Sequence, residues 1–414
     1  MNMAHPVPGA YDVAALRRDF PILERKVHGC PLVYLDNAAS AQKPNAVLDA
    51  MNALMTREYA NVHRGVHFLS AAATDAYESA RVGVQRFLNA AHEDEIVFTR
   101  GGTEAINLVA ESFVGASIHS GDEIVLSVME HHSNIVPWHF LRERAGAVLK
   151  WVDVSDAGEL DPADVARAIG PKTKLVAITH MSNVLGTRTA LKEIVRIAHE
   201  KGVRVLADGC QSAVHGIIDV QDLDVDFYAV TGHKLYGPTG IGVLYGKREC
   251  LKKMRPYQGG GEMIHEVTKD KVTYAGPPMR FEAGTPPFVE AVGLVAAVDY
   301  LQGVGREAIA LHEEGLARRA SAKLKQMNGV RLIGEAKEKG PIVSFEVIGI
   351  HAHDLATILD REGVAVRAGH HCAQVLMDRF GVVATARASF GLYNTEKEVD
   401  ALIEAVKAAR KVFG

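Results

Sequence analysis

The stretch from Asp226 to Gly240, reading DFYAVTGHKLYGPTG, is an apolar run that ends in a loop crowded with Thr231, His233 and Lys234. A lysine whose amine is desolvated, or set beside another cation, loses its proton near neutral pH and can condense with an aldehyde. Alone, a loop lysine reads as a solvated charge, so its neighbours in other segments decide. Twenty-six positions upstream, Asp208 closes the apolar run Val203 to Ala207. A carboxylate there can pair with a pyridinium nitrogen, the arrangement that pyridoxal phosphate chemistry uses to make its ring an electron sink, or it can cap the next helix. Arg100 to Leu108, reading RGGTEAINL, follows the run Ile96 to Phe98 and opens a helix, where backbone N–H groups and Thr103 can cradle a phosphate. Glu130-His-His-Ser-Asn134 places an imidazole, His131, where a planar ring could stack, against the reading of an ordinary loop histidine.

Cys372 adds a nucleophile. It lies in Arg367-Ala-Gly-His-His-Cys-Ala-Gln374, where Gly369 permits a tight loop and His370 and His371 can favour the thiolate. Cys30, Cys210 and Cys250 stand in apolar settings and read as inert. The four cysteines form no C-x-x-C pair, so neither a disulfide framework nor a metal cluster is expected.

These residues need elements to hold them. Short β-branched runs (Glu95 to Phe98, Glu123 to Leu126, Leu175 to Ile178, Val203 to Leu206) alternate with stretches of helical period, an α/β rhythm. The runs lack polar alternation, which suits strands covered on both faces in a largely parallel sheet whose ligands sit at the strand ends. From Phe288 the pattern turns to long helices, Phe288 to Leu301 and Arg306 to Met327, before strands return near Ile342 to Phe345. A boundary is therefore expected near residue 300. An opening helix, Val13 to Asp19, should stop before Pro21, and Gly259 to Gly261 reads as a loop needing unusual backbone angles.

With 48% hydrophobic and 23% charged residues the 414-residue chain is a folded globular one. Its 46 basic against 50 acidic residues, without a basic run, speak against a nucleic-acid partner. No apolar run reaches the length of a membrane span, and the start MNMAHPVPGAYDV lacks the pattern of a signal peptide, so a cytoplasmic location is expected.

In order and spacing, the segments Tyr34 to Ser40, Asn61 to His67, Met129 to His132, Thr179 to Gly186, Asp208 to Gln211, Thr231 to Lys234, Phe281 to Thr285 and Arg367 to Ala373 make the chain resemble the cysteine desulfurases. These are fold-type I, class V aminotransferase-like enzymes that use pyridoxal 5′-phosphate, and the nearest look is to the SUF-type group II branch. The resemblance implies a large domain over residues 30–300 with a mostly parallel, seven-stranded-type sheet and a smaller α+β domain over 301–414 carrying the cysteine loop. Residues 1–29 would pack on the small domain.

The resemblance further implies that Lys234 anchors the cofactor covalently, Asp208 meets its pyridine nitrogen, His131 stacks on the ring and Gln211 faces the phenolic oxygen. Gly102, Thr103, Thr231 and His233 would hold phosphate, Asn183 and Arg387 the substrate amino acid. His63 and Arg64 would also bind substrate and Thr285 the cofactor, with a neighbouring subunit contributing near Arg64 and Thr285, so a homodimer with shared sites is implied. Relatives often carry a Thr pair where this chain reads Gly102-Thr103, which removes one hydroxyl but leaves a backbone N–H.

The implied activity converts L-cysteine to L-alanine and leaves a persulfide on Cys372, for transfer to a SUF-system sulfur acceptor in iron–sulfur cluster assembly. A selenocysteine lyase or aminotransferase on the same site, and a non-catalytic pyridoxal-phosphate-binding regulator, are the alternatives. No resident metal is expected. His353 lies where some relatives offer a histidine to a zinc-bearing acceptor; the competing reading is that Asp354 caps a helix Leu355 to Arg361 and His353 faces solvent.

Overall fold

The computed structural model describes residues 11–413. Seven strands form the main sheet: β1 (Ile96–Thr99), β2 (Glu123–Ser127), β3 (Val148–Val152), β4 (Thr173–Thr179), β5 (Arg204–Asp208), β6 (Phe227–Thr231) and β7 (Gly242–Gly246). Their order is β1-β7-β6-β5-β4-β2-β3. The pairs along β6, β5, β4, β2 and β3 are parallel, and β7 alone runs antiparallel to both its neighbours.

The missing polar alternation has its cause in two cores, one on each face. Phe98, Val230, Val205, Ala207, Val176 and Ile178 pack into one; Val97, Ala229, Leu206, Ala177 and Leu126 pack into the other. Successive side chains of a strand point to opposite faces, so a strand covered on both sides must be apolar throughout. The helix Phe288–Val304 belongs to the first core through Ala291, Leu294, Ala297, Val298 and Leu301.

Four antiparallel strands make the second sheet: β8 (Val330–Ile333), β9 (Ile342–Val347), β10 (Arg367–Gly369) and β11 (Thr385–Ser389), in the order β8-β9-β11-β10. Phe345, Val343 and Ala388 pack there against Leu355, Leu359, Leu402 and Val406. Val33 and Leu35 join this core, and Val33–Tyr34 pairs in parallel with Val364–Ala365. This stretch thus lies with the C-terminal sheet, although its sequence position places it with the larger one.

Near the start of the described residues a helix covers Val13–Arg17, shorter than expected, and Pro21 opens a separate 3₁₀ turn, Pro21–Glu24. Tyr11 donates to the Leu392 carbonyl at 2.6 Å, and Arg17 reaches Glu398 at 3.0 Å. Residues 1–10 of the expected N-terminal segment, and most of the stretch read for a signal peptide, lie outside the described residues. Among the described residues no single helix is long and apolar enough to cross a membrane.

Two local expectations are corrected. None of Gly259 to Gly261 takes a left-handed φ; in that loop Glu262 does, at 66°. The helix near His353 spans Ala352–Arg361, and its N-cap is His351, whose ring accepts from the His353 N–H, so Asp354 is a first-turn residue and not the cap.

Candidate active site

Five loops leaving the C-terminal ends of β1, β2, β4, β5 and β6 converge with the loop after β10 on a cavity of about 200 Å³. Its lining brings together Gly102, Thr103, His131, Asn183, Asp208, Gln211, Thr231, His233, Lys234, Cys372 and Arg387. Sites of open α/β sheets form at these strand ends, where the loops carry side chains that need not be buried.

Lys234 follows β6 in the turn Gly232 to Gly237, closed by Leu235 and Gly237 N–H groups on the Gly232 carbonyl. Desolvation lowers the pKa of its amine, opposed by Cys210 and Asp208 nearby. Asp208 is the last residue of β5 and accepts from the Cys210 N–H at 3.0 Å. The His131 ring is oriented from one side: its Nδ1 accepts from the Ser133 N–H at 3.1 Å. Burial, with Lys234 as a second cause, lowers its pKa to about 4, so a neutral imidazole faces the cavity near pH 7. Glu130 holds this loop down, its fully buried carboxyl accepting from Ser127, Asn134 and the Thr179 N–H at 2.6, 2.6 and 3.0 Å.

Gly102 begins the helix Gly102–Val109, so the first-turn N–H groups and the Thr103 hydroxyl stand at the cavity beside Thr231 and His233. Gln211 donates its amide to the Ala38 carbonyl at 2.7 Å, which leaves its buried Oε1 without a partner. An orphaned buried acceptor beside an amine, a carboxylate and a neutral imidazole fits a ligand that brings its own donor, an aldehyde and a basic ring nitrogen, as pyridoxal phosphate does.

Arg387, in β11 and 2% exposed, donates to the Asn183 carbonyl at 2.8 Å and to Asp36 at 3.3 Å, while its Nε has no partner. Asn183 turns its amide to the His371 carbonyl at 2.7 Å, so in this state it braces the cysteine loop. Cys372 is exposed at the cavity mouth. The expectation that the paired histidines favour its thiolate is corrected for His371: that ring is buried against the Thr385 hydroxyl at 2.8 Å, and burial lowers its pKa to about 3, so it offers no positive charge.

Three expected residues lie apart from the cavity. His63 bonds Glu78 at 2.9 Å, Arg64 pairs with Glu262, and Thr285 is exposed. They neighbour a surface bearing exposed Val66 and Phe68. Sequence reasoning missed Asp36 and Arg367, and, while burial keeps Cys210 the unreactive thiol it was read as, its place in the cavity lining went unseen. Its position two residues after Asp208, in the same turn, was the available signal.

The family model for class-V aminotransferases matches residues 33–402. A probable cysteine desulfurase of Halalkalibacterium halodurans is 50% identical over 96% of this chain and 98% of its own length. A cysteine desulfurase of Dickeya dadantii is 49% identical, with both chains covered in full. Among solved structures, the Escherichia coli cysteine desulfurase CsdA, in an S-sulfonic acid form, superposes with a TM-score of 0.91 at 40% identity, covering 98% of this chain and all of that one. The cystine C-S lyase C-DES, in complex with its product cysteine persulfide, gives 0.81 at 25% identity, covering 94% and 98%.

Proposed function

This chain belongs to the class-V aminotransferase family and is a cysteine desulfurase dependent on pyridoxal 5′-phosphate, and from that premise we propose that Cys372 carries the sulfur of L-cysteine as a persulfide. The observation that carries the reading is the exposed Cys372 on the rim of a cavity that also holds Lys234, Asp208 and His131.

When bound, the cofactor supplies an aldehyde for amine capture and a protonated ring that accepts electrons from Cα. Lys234 is the amine that holds it and, once released, the base that moves the Cα proton; its desolvated environment favours the neutral form that both tasks need. Asp208 keeps a proton at the ring nitrogen. Arg387 and Asn183 orient the substrate, with the free Arg387 Nε available to a carboxylate oxygen. The Cys372 thiolate attacks the substrate sulfur: the carbon–sulfur bond breaks, a sulfur–sulfur bond forms, and protons complete L-alanine. Transamination to a second keto substrate would give Cys372 no task.

The homodimer belongs to the same proposal. Exposed Val66, Phe68 and Tyr59 supply apolar surface on the segments around Arg64, and neither Arg64 nor Thr285 lines the site cavity of its own chain. A second subunit would bring those two groups to the neighbour's site. The sulfur acceptor would be a SUF-system protein serving iron–sulfur assembly in the cytoplasm, and exposed His353 would meet a zinc-bearing one. Alanine and sulfide release from L-cysteine, with zinc-containing and zinc-free acceptors and with His353→Ala, tests this; alanine release that no acceptor stimulates would contradict the transfer role.

A further inference from the structure

Gly102 has ordinary helical backbone, so its missing side chain is not a demand of φ. It is a demand of space. A Cβ built there would lie 2.3 Å from the Cys210 Sγ and 3.8 Å from the Thr231 Cβ. Real contacts are essentially never that short, and three features keep the backbone on either side from yielding. The Cys210 backbone is tied to Asp208. A Cβ on Gly209 would meet the buried Tyr228 ring at 1.9 Å, so that turn is pressed against its floor. On the other side Gly101 abuts Gly242 of β7, where a Cβ would come within 2.4 Å of the Gly101 Cα.

We propose that Gly102 and Cys210 are one interlocked pair in the cofactor cavity, the Cys210 thiol filling the volume that a side chain at position 102 would take and forming part of the wall that seats the phosphate-bearing cofactor. On this account the two positions must change together. Desolvation, with Asp208 second, raises the Cys210 pKa well above its ordinary value. The thiol therefore stays neutral: it sets no negative charge beside a phosphate and does not compete with Cys372 as a nucleophile.

The inference rests on pyridoxal phosphate occupying this cavity, and the test separates the two. Cofactor-free wild type, Gly102→Ala, Cys210→Ala and the double variant are titrated with pyridoxal phosphate, followed by absorbance. Gly102→Ala should weaken binding by about tenfold or more, the expected effect of overpacking a rigid wall. Adding Cys210→Ala should return affinity to within about threefold of wild type, the signature of a coupled pair. If Gly102→Ala fails to fold, recovery of folding and binding in the double variant carries the same support. A Gly102→Ala that binds like wild type, or a double variant no better than it, overturns the pairing. Wild type that binds no cofactor overturns both readings, whereas binding without coupling overturns this one alone.

Discussion

The backbone N–H of His132 donates to the carbonyl of Cys372 at 2.7 Å, joining the loop that carries the ring-facing His131 to the loop that carries the nucleophile. That second loop is strained. His371 and Cys372 have φ of 53° and 56°, consecutive left-handed residues without a glycine between them. Such geometry costs about 1–2 kcal/mol per residue. It persists because the Asn183 amide holds the His371 carbonyl, the His371 ring meets Thr385, and the His132 ring accepts from the Gln374 N–H at 3.2 Å.

The His132 ring thereby does the work of a helix cap, since the helix Gln374–Phe380 has none of its own. His132→Ala should slow the appearance of sulfur on Cys372 by about tenfold, the scale of a lost cap, while the bound-cofactor absorption stays unchanged. Single-turnover desulfuration with absorbance in parallel checks both halves.

Arg387→Lys keeps a charge but loses the planar fork that grips Asn183 and Asp36 with an Nε to spare. The expected result is kcat/KM for L-cysteine about a hundredfold lower, with much of the loss in KM. An unchanged KM would remove Arg387 from the substrate's carboxylate.

Gly209→Ala would drive a methyl into Tyr228, whose hydroxyl is fixed between Ser212 at 2.6 Å and His180 at 2.9 Å. A loss of about 1–3 kcal/mol is expected in denaturant unfolding, with weakened cofactor binding because Asp208 precedes this turn. Unfolding midpoints and cofactor titration read the two effects.

Four imidazoles, His371 buried and the others half-buried, share one pH behaviour. Burial is the leading cause that lowers His131, His180 and His233 to about 4 and His371 to about 3. Below the ordinary histidine value of about 6.5 the unfolded chain binds protons that the native protein refuses, so stability is fully present above that pH and falls as pH drops toward about 4. Unfolding near pH 5.5 should therefore take up protons, measurable as a slope in unfolding free energy against pH. A flat profile between pH 7 and pH 5 would contradict it.

Much of the site is legible in the chain because its chemistry is attached to apolar runs. Lys234 and His131 follow, and Asp208 ends, a strand that must be buried on both faces, and such a strand can only deliver them to its end. What stayed hidden depends on contacts between segments far apart. The strain at His371 and Cys372 has no glycine or asparagine within the pair to announce it and is held by Asn183, Thr385 and His132 from distant segments. Cys210 looks like any small apolar residue until Gly102 is set against it. Val33 and Leu35 reach the C-terminal core by a two-residue parallel pairing too short to have a pattern.

The central claim is that sulfur leaves L-cysteine for Cys372. Mass spectrometry of the peptide containing Cys372, after brief exposure of the holoenzyme to L-cysteine, tests it most directly, with Cys372→Ser beside wild type. One added sulfur atom on Cys372, together with a serine variant that binds cofactor yet releases little alanine, is the result expected. Sulfur found on Cys210 instead, or full alanine production by Cys372→Ser, would contradict the account.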